Sequence, residues 1–201
     1  MYKIKIAFGL NGQSTSALLL EPSCTELFPA LVDCSYLCAD PASYTDASVR
    51  AALDAVNAAG VEPAEIRSHF VTHPHGDHLD PRLAQHFPNA KIYAHPDSKI
   101  PGARPLAAEM CPPTLLALNT PGHGTPHCSF IVDIREHDLS VCIAGDLIMS
   151  HAHFLSLDHP LSFADHEAGR RSVAAVMDAL ASRKTKHWMI LPGHDIPFFI
   201  G

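Results

Sequence analysis

The feature that most constrains this chain is a run of seven residues in which four potential metal ligands fall within six positions: Thr72-His73-Pro74-His75-Gly76-Asp77-His78. The run directly follows residues 70–71, Phe-Val, which have strand character. An extended strand end places the first two histidines on the same side, and a turn at Gly76 lets Asp77 and His78 curl back towards a second point nearby. The spacing therefore predicts a site for two metal ions side by side.

Histidine is also unusually frequent, because the 201 residues include 15 histidines and only 14 lysines and arginines. Apolar residues make up 47% and charged residues 17%, which is enough for a substantial buried core. The formal net charge of −7, without a stripe of basic residues, disfavours nucleic acid as a partner. No apolar run approaches the roughly 18 residues that a membrane span needs, and no export signal is recognisable. We expect a soluble, cytoplasmic protein with no membrane partner, whose six cysteines are reduced thiols.

Alternating and apolar runs predict a sheet-rich chain with two long helices. Strands are predicted at residues 2–8, 16–21, 30–34, 69–72, 91–94, 114–119, 129–134, 140–144 and 188–191. Helices are predicted at residues 46–59 and 164–182, with short helices at 63–67 and 81–86. This order predicts one domain over residues 1–201, built from two similar αβ halves that meet near residues 105–115.

Three further stretches place histidine or aspartate after a strand-like run: Asn119-Thr-Pro-Gly-His123-Gly-Thr-Pro-His127, Ile143-Ala-Gly-Asp146 and Ile190-Leu-Pro-Gly-His194-Asp195. Together with the first motif, these three stretches resemble the metal motifs of the metallo-β-lactamase superfamily. The resemblance covers nearly the whole chain. Residues 30–33, Ala-Leu-Val-Asp, also resemble the family's early strand, whose aspartate supports the metal site, although Cys34-Ser35 replaces the usual Thr-Gly. The resemblance implies an α/β (α+β) fold, a four-layer αββα sandwich.

The resemblance also implies a set of seven ligands. One metal would be held by His73, His75 and His123, the other by Asp77, His78 and His194, with Asp146 as the bridge. Neutral imidazoles and carboxylates favour two Zn²⁺ ions per chain, although Mn or Fe would accept the same ligands. The complete set disfavours both single-metal variants and a flavodiiron-like redox role.

The function that the resemblance implies is that of a metal-dependent hydrolase, in which a bridging hydroxide at a binuclear zinc site attacks a small ester, thioester or lactone. Asp77 or a metal-bound water is predicted to move the proton to the leaving group, and His153 to act on the substrate or the leaving group at the mouth of the pocket. A phosphodiesterase or nuclease of the same superfamily is the alternative. A non-catalytic metal-binding module is the third hypothesis.

Substrate choice is predicted to depend on two loops, at residues 99–111 and 150–163, which flank the strands that lead to His123 and Asp146. Lys99 and Arg104 would suit a small molecule with one acidic group better than a polyanion. The sequence leaves the oligomeric state open. For His127 the sequence is equally consistent with a supporting role in the pocket and with a purely structural role. A functional role is less strongly indicated for His151 than for His153. The remaining histidines are interpreted as turn, helix-face or surface residues without a functional role: His69, His86, His95, His137, His159, His166 and His187.

Overall fold

The described residues form two sheets of six strands each. The computed structural model describes residues 3–8, 14–20, 26–34, 46–107, 109–111, 115–124, 126–162 and 164–200. The strands of the first sheet are β1 Lys3–Phe8, β2 Ser16–Leu20, β3 Ala30–Val32, β4 Ser68–Phe70, β5 Lys91–Ala94 and β6 Arg104–Pro105. Those of the second are β7 Glu109–Cys111, β8 Leu115–Asn119, β9 Cys128–Ile134, β10 Leu139–Gly145, β11 His187–Pro192 and β12 Phe198–Ile200.

Both sheets are mixed, and in each the strands follow one another in chain order. In the first sheet β1, β2 and β3 are antiparallel, whereas β3 to β6 are parallel. In the second sheet β7 to β10 are antiparallel, β10 and β11 are parallel, and β12 returns antiparallel at the edge. Because parallel strands end at the same edge of a sheet, the loops that follow β4 and β5 lie side by side, as do those that follow β10 and β11.

In the part of the chain that the structure describes, four α-helices cover the outer faces: α1 Asp46–Ala58, α2 Pro81–Ala84, α3 His151–Ser156 and α4 His166–Ala181. Val56 and Leu83, from α1 and α2, pack with Leu31 against the outer face of the first sheet. Val176 and Leu180 of α4 pack against the outer face of the second sheet.

The inner faces of the two sheets meet in a core that includes Phe70, Phe130 and Val132. The layers therefore run helix, sheet, sheet, helix, and the predicted αββα sandwich is confirmed. None of the described helices is long and apolar enough to cross a membrane.

Most of the strands predicted from the sequence are present, with ends that differ by one or two residues. The predicted ends at Tyr2, Glu21 and Thr114 lie outside the described residues. The short helix expected at 63–67 is a 3₁₀ turn, Pro63–Glu65, and α2 stops at Ala84. Cys34, Cys128 and Cys142 are free thiols buried in the fold.

The two predicted loops contain regular structure, so that part of the prediction is wrong. The stretch 99–111 includes β6 and β7, which are two and three residues long and therefore too short to show a period. The stretch 150–163, of which Phe163 lies outside the described residues, includes α3. Ser150 begins α3 by accepting the backbone N–H of His153 on its hydroxyl, and Phe154 packs against the outer core.

His69 lies in the middle of β4 and is completely surrounded by the fold. Phe70 faces the inter-sheet core, so the alternation of a strand turns His69 towards the helical layer. Its Nε2 has no hydrogen-bond partner, and burial lowers the pKa of its imidazole from 6.5 to about 4. The unfolded chain therefore binds a proton between these pH values that the folded protein does not bind.

We predict that His69→Leu reduces the loss of stability on acidification. The wild-type free energy of unfolding should fall by about 1.4 kcal/mol per pH unit from this residue alone as the pH drops from about 6.5 towards 4, and not above that window. Urea unfolding at pH 7, 6 and 5, with matched metal content, measures the slope. The exposed-site control His86→Gln should keep the wild-type slope, and an unchanged slope in His69→Leu would contradict the prediction.

Candidate metal centre

Four strand ends deliver the histidine and aspartate motifs. β4 leads into residues 72–78, while β8, β10 and β11 lead into the other three motifs. The turn expected at Gly76 is present, and the backbone N–H of His78 donates to the carbonyl of His75 at 3.0 Å. The structure brings all seven predicted ligands together in two groups, with the ligand atoms of each group within 4.8 Å of one another. These groups are His73, His75, His123 and Asp146, and Asp77, His78 and His194.

The carboxylate of Asp146 stands between the two groups, with one oxygen towards each. Its Oδ2 lies 3.3 Å from Nε2 of His123 and 3.9 Å from Nε2 of His73. Its Oδ1 lies 3.1 Å from Nε2 of His78 and 3.2 Å from Nε2 of His194. A carboxylate placed in this way can offer one oxygen to each of two cations.

Three imidazole nitrogens converge in the first group. Nδ1 of His75 lies 3.0 Å from Nε2 of His73 and 3.0 Å from Nε2 of His123. The hydroxyl of Thr72 donates to Asp33 at 2.8 Å, so it accepts from Nδ1–H of His73 at 3.0 Å. The lone pair of His73 is therefore on Nε2, the atom that faces the group, which is the form a divalent cation binds.

Two buried polar atoms between the two groups have no hydrogen-bond partner. Nε2 of His78 and Oδ1 of Asp146 are 3.1 Å apart but not aligned for a hydrogen bond, and both are left without one. Nε2 of His194 lies 3.5 Å from Oδ2 of Asp77. Since buried polar atoms are rarely left unsatisfied, and a cation would satisfy both of them, the residues present fit a bound metal.

Electrostatics at the centre favour a cation. Burial alone would raise the pKa of the Asp146 carboxyl, but His78 and His194 beside it hold that pKa well below its usual range. Burial would lower the pKa of His78, yet the carboxylates of Asp33 and Asp146 outweigh burial and raise it well above 6.5. The pKa of His194 is likewise raised by Asp146 against the effect of burial. A cation would take the place of these protons beside the buried carboxylate.

The first group has the opposite tendency. Burial lowers the pKa of His73 well below its usual value, and it lowers the pKa of His123 to about 4. These two imidazoles are therefore neutral near pH 7, as metal ligands must be.

Asp33 holds the first motif in place. The backbone N–H of Thr72 donates to its Oδ1 at 2.8 Å, and Nδ1–H of His78 donates to its Oδ2 at 2.8 Å. The second bond turns the other ring nitrogen of His78, Nε2, towards Asp146, where a cation could replace its proton. Asp33 thus supports the first motif, as the resemblance implied. Cys34 follows it in the chain, and Ser35 lies outside the described residues.

His159 is a site residue that the sequence analysis missed. Its Nδ1 accepts the backbone N–H of Leu161 at 3.1 Å, so its neutral form carries the proton on Nε2. That Nε2 lies 3.1 Å from the carbonyl oxygen of Asp146 and 3.2 Å from Nδ1 of His123. His159 therefore contacts two candidate ligands, Asp146 and His123, from outside the two groups, and no motif in the sequence marks it.

The three other histidines that the sequence analysis considered for the pocket, His127, His151 and His153, lie outside the two groups. His127 is fully buried, its Nδ1 lies 2.8 Å from the hydroxyl of Thr120, and its ring stacks beside His73 at 5.1 Å between ring centres. His153 is buried against the ring of His159, and burial lowers its pKa to about 4. His151 is exposed and stacks on Phe198.

Two glycines permit the close approach of backbone to the centre. A Cβ on Gly193 would lie 2.1 Å from Oδ1 of Asp146 and 2.9 Å from the carbonyl oxygen of Gly145. A Cβ on Gly145, whose φ is +54°, would lie 2.8 Å from Nε2 of His127. Only a residue without a side chain therefore fits at either position.

Comparisons with known proteins support the same architecture. No protein-family model matches the chain, and no curated protein matches it at a significant level. The fold is similar to that of a protein from Thermotoga maritima with the provisional description metallo-beta-lactamase (TM-score 0.71, 18% identity, 99% of both chains covered). It is also similar to an AiiA variant from B. thuringiensis with N-decanoyl-L-homoserine bound at the active site (TM-score 0.70, 17% identity, 97% of this chain and 93% of that one).

A third similar structure is AidC, a dizinc quorum-quenching lactonase in complex with a homoserine product (TM-score 0.66, 17% identity, 90% of this chain and 72% of that one). At these identities the likeness is one of fold. The chain has the metallo-β-lactamase fold, so the fold that the motif resemblance implied is confirmed.

We predict that Gly193→Ala displaces the Asp146 carboxylate and disrupts the centre. The clash should lower the free energy of unfolding by about 1–3 kcal/mol, the range typical of overpacking, and should weaken binding of a divalent cation. Urea unfolding and competition with a chromogenic chelator measure the two effects. Gly76→Ala is the matched control, because it lies within the first motif but has open space around its Cβ position. Equal behaviour of the two variants would contradict the prediction.

Proposed function

We propose that this protein is a metal-dependent hydrolase that acts on a small ester, thioester or lactone with two divalent cations at the centre described above. The observation that carries the proposal is the placement of Asp146, whose two carboxylate oxygens face different groups of ligands at 3.1–3.9 Å. A structural site for a single ion would not need a carboxylate shared in this way.

The ligand types support zinc at both positions. Imidazole nitrogens and carboxylate oxygens suit Zn²⁺, while Mn and Fe are metals that the same donors accept. His73, His75 and His123 would hold one ion, and Asp77, His78 and His194 the other, with Asp146 shared. The dizinc lactonase with a similar fold supports the same count.

Two bound cations would lower the pKa of water enough to supply a nucleophile near neutral pH, and would polarise the substrate's carbonyl oxygen. Of the two predicted catalytic residues, Asp77 is the better placed for moving a proton to the leaving group, because its side chain is 27% exposed and belongs to the second ligand group. His153 approaches the centre through His159, so we assign it to the wall of the pocket rather than to the reacting atoms.

A second feature supports a small anionic substrate. A cavity of about 280 Å³, lined by His95, Lys99 and Arg104 among others, lies where the chain leaves β5. The backbone N–H of Val71 donates to the carbonyl of Tyr93, so this exit is one strand away from the exit of β4 that leads to His73. Two cationic side chains at this edge suit one carboxylate on a substrate held at the centre. Similar folds that bind homoserine products support the same class of ligand.

We predict close to two metal equivalents per chain by elemental analysis of protein dialysed from excess zinc. Asp146→Ala should retain one equivalent or fewer, because two cations without the shared carboxylate repel each other across a few ångströms. The control Asp158→Ala removes an exposed aspartate that pairs with Arg170 and should retain two. A folded wild-type sample that takes up only one equivalent would refute the binuclear proposal.

Activity is tested with a panel of substrates: 4-nitrophenyl acetate, its carboxylate-bearing succinate analogue, a thioester, a γ-lactone and bis(4-nitrophenyl) phosphate. We expect turnover of the ester, thioester or lactone that a chelator abolishes and that Asp146→Ala lowers by more than about a hundredfold. The KM of the succinate ester should be lower than that of the acetate ester. Turnover of the phosphate diester alone would establish the phosphodiesterase alternative, and no turnover by fully loaded protein would establish a metal-binding module.

A further inference from the structure

A second cavity lies at the opposite end of the second sheet from the candidate metal centre. Its volume is about 560 Å³, and it opens between the β9–β10 turn and the loop that joins α4 to β11. β10 and β11 begin beside this cavity and end at the metal centre. Strands of six or seven residues span about 20 Å, so the two sites are separate.

Arg183 forms part of the cavity wall and has donors without acceptors. Its side chain is only 17% exposed, and its Nε and Nη2 are buried without a hydrogen-bond partner. The carboxylate oxygen nearest to the guanidinium is Oδ1 of Asp133, 3.6 Å from Nε, and that oxygen already accepts the hydroxyl of Ser140 at 2.7 Å. Because Arg183 also lines the cavity, the positive charge of its guanidinium gives this wall a capacity to attract an anion.

The other charges around the cavity add to this capacity. Arg135 and Lys184 line it, both are exposed, and neither pairs with a carboxylate in the part of the chain that the structure describes. The Asp138 carboxylate, also in the wall, lies 3.4 Å from Nζ of Lys186. The negative charges of both acidic residues in the wall are therefore balanced, Asp133 by Arg183 and Asp138 by Lys186. Arg135 and Lys184 remain as unbalanced positive charges, although the chain as a whole has a formal charge of −7.

We propose that this cavity, at the amino ends of β10 and β11, binds the phosphoryl group of a small phosphate monoester. Two or three cationic side chains around one space suit a dianion better than a single carboxylate, and arginine presents a fork that matches phosphate oxygens. The volume lies within the range of small-molecule sites and exceeds what a phosphate ion alone fills. The ligand is thus a phosphorylated small molecule, with free phosphate as a weaker ligand of the same chemistry.

The test is a titration of the ¹⁵N-labelled, zinc-loaded protein, followed by amide chemical shifts, with adenosine monophosphate, inorganic phosphate and acetate. We expect saturable shifts at residues 183–185 with the nucleotide, weaker binding of phosphate and no saturation with acetate. Backbone amides at 73, 75–78 and 194 report separately on anions that bind the metal centre. The result is therefore independent of the hydrolase proposal.

Variants assign the contacts. Arg135→Gln and Lys184→Gln should each raise the Kd of the nucleotide about tenfold, as the loss of one charge-assisted contact does. Arg183→Gln should abolish the shifts, and the control Lys91→Gln, exposed on the first sheet, should leave the Kd unchanged. If Arg183→Gln does not fold, the two exposed variants decide the matter.

Three outcomes would overturn the proposal. The nucleotide could shift amides only at the metal centre, or acetate could saturate residues 183–185 as well as phosphate does. The third is a Kd that neither Arg135→Gln nor Lys184→Gln changes.

Discussion

The rest of this structure depends on one buried carboxylate. Asp146 is almost fully enclosed, keeps its charge because His78 and His194 lower its pKa, and lies within 4 Å of four imidazoles. An isolated charge in this position would cost several kcal/mol, so the surrounding groups must be fixed with precision. The fold supplies that precision by taking the four motifs from the ends of four strands rather than from one flexible loop.

The supports around the centre follow from this requirement. Two candidate histidine ligands use the ring nitrogen that faces away from the centre to fix the ring: Nδ1 of His73 contacts Thr72, and Nδ1 of His78 contacts Asp33. Orientation by such contacts decides which nitrogen carries a lone pair, and therefore whether the residue can bind a cation. Gly145 and Gly193 also help to keep these side chains in place, because a side chain at either position would occupy the space of Asp146 or His127.

The direction of the strands also separates two kinds of chemistry. At the carboxyl ends of β4, β10 and β11 the chain gathers imidazoles and carboxylates, while at the amino ends of β10 and β11 it gathers arginine and lysine. An overall charge of −7 conceals this division, because net charge averages over the surface and an anion responds only to the field near its site. The same pair of strands thus links a site for cations to a cavity suited to anions.

The sequence by itself predicted most of the strands, the two long helices and the first metal motif, whereas the four-layer sandwich and the set of seven candidate ligands were implied by the resemblance of the motifs to the metallo-β-lactamase superfamily. Strand and helix periods follow from local apolar spacing, and closely spaced histidines in a strand–turn context mark a metal motif whatever the rest of the chain does. It could not reveal His159, because that residue reaches His123 across 36 positions and carries no local pattern. The same holds for α3, whose beginning depends on the Ser150 cap and whose place depends on Phe154 entering the outer core. Only the tertiary structure decided which oxygen of Asp146 faces which histidine and which arginine has donors without acceptors. These are properties of contacts between distant segments, and residue types alone do not determine them.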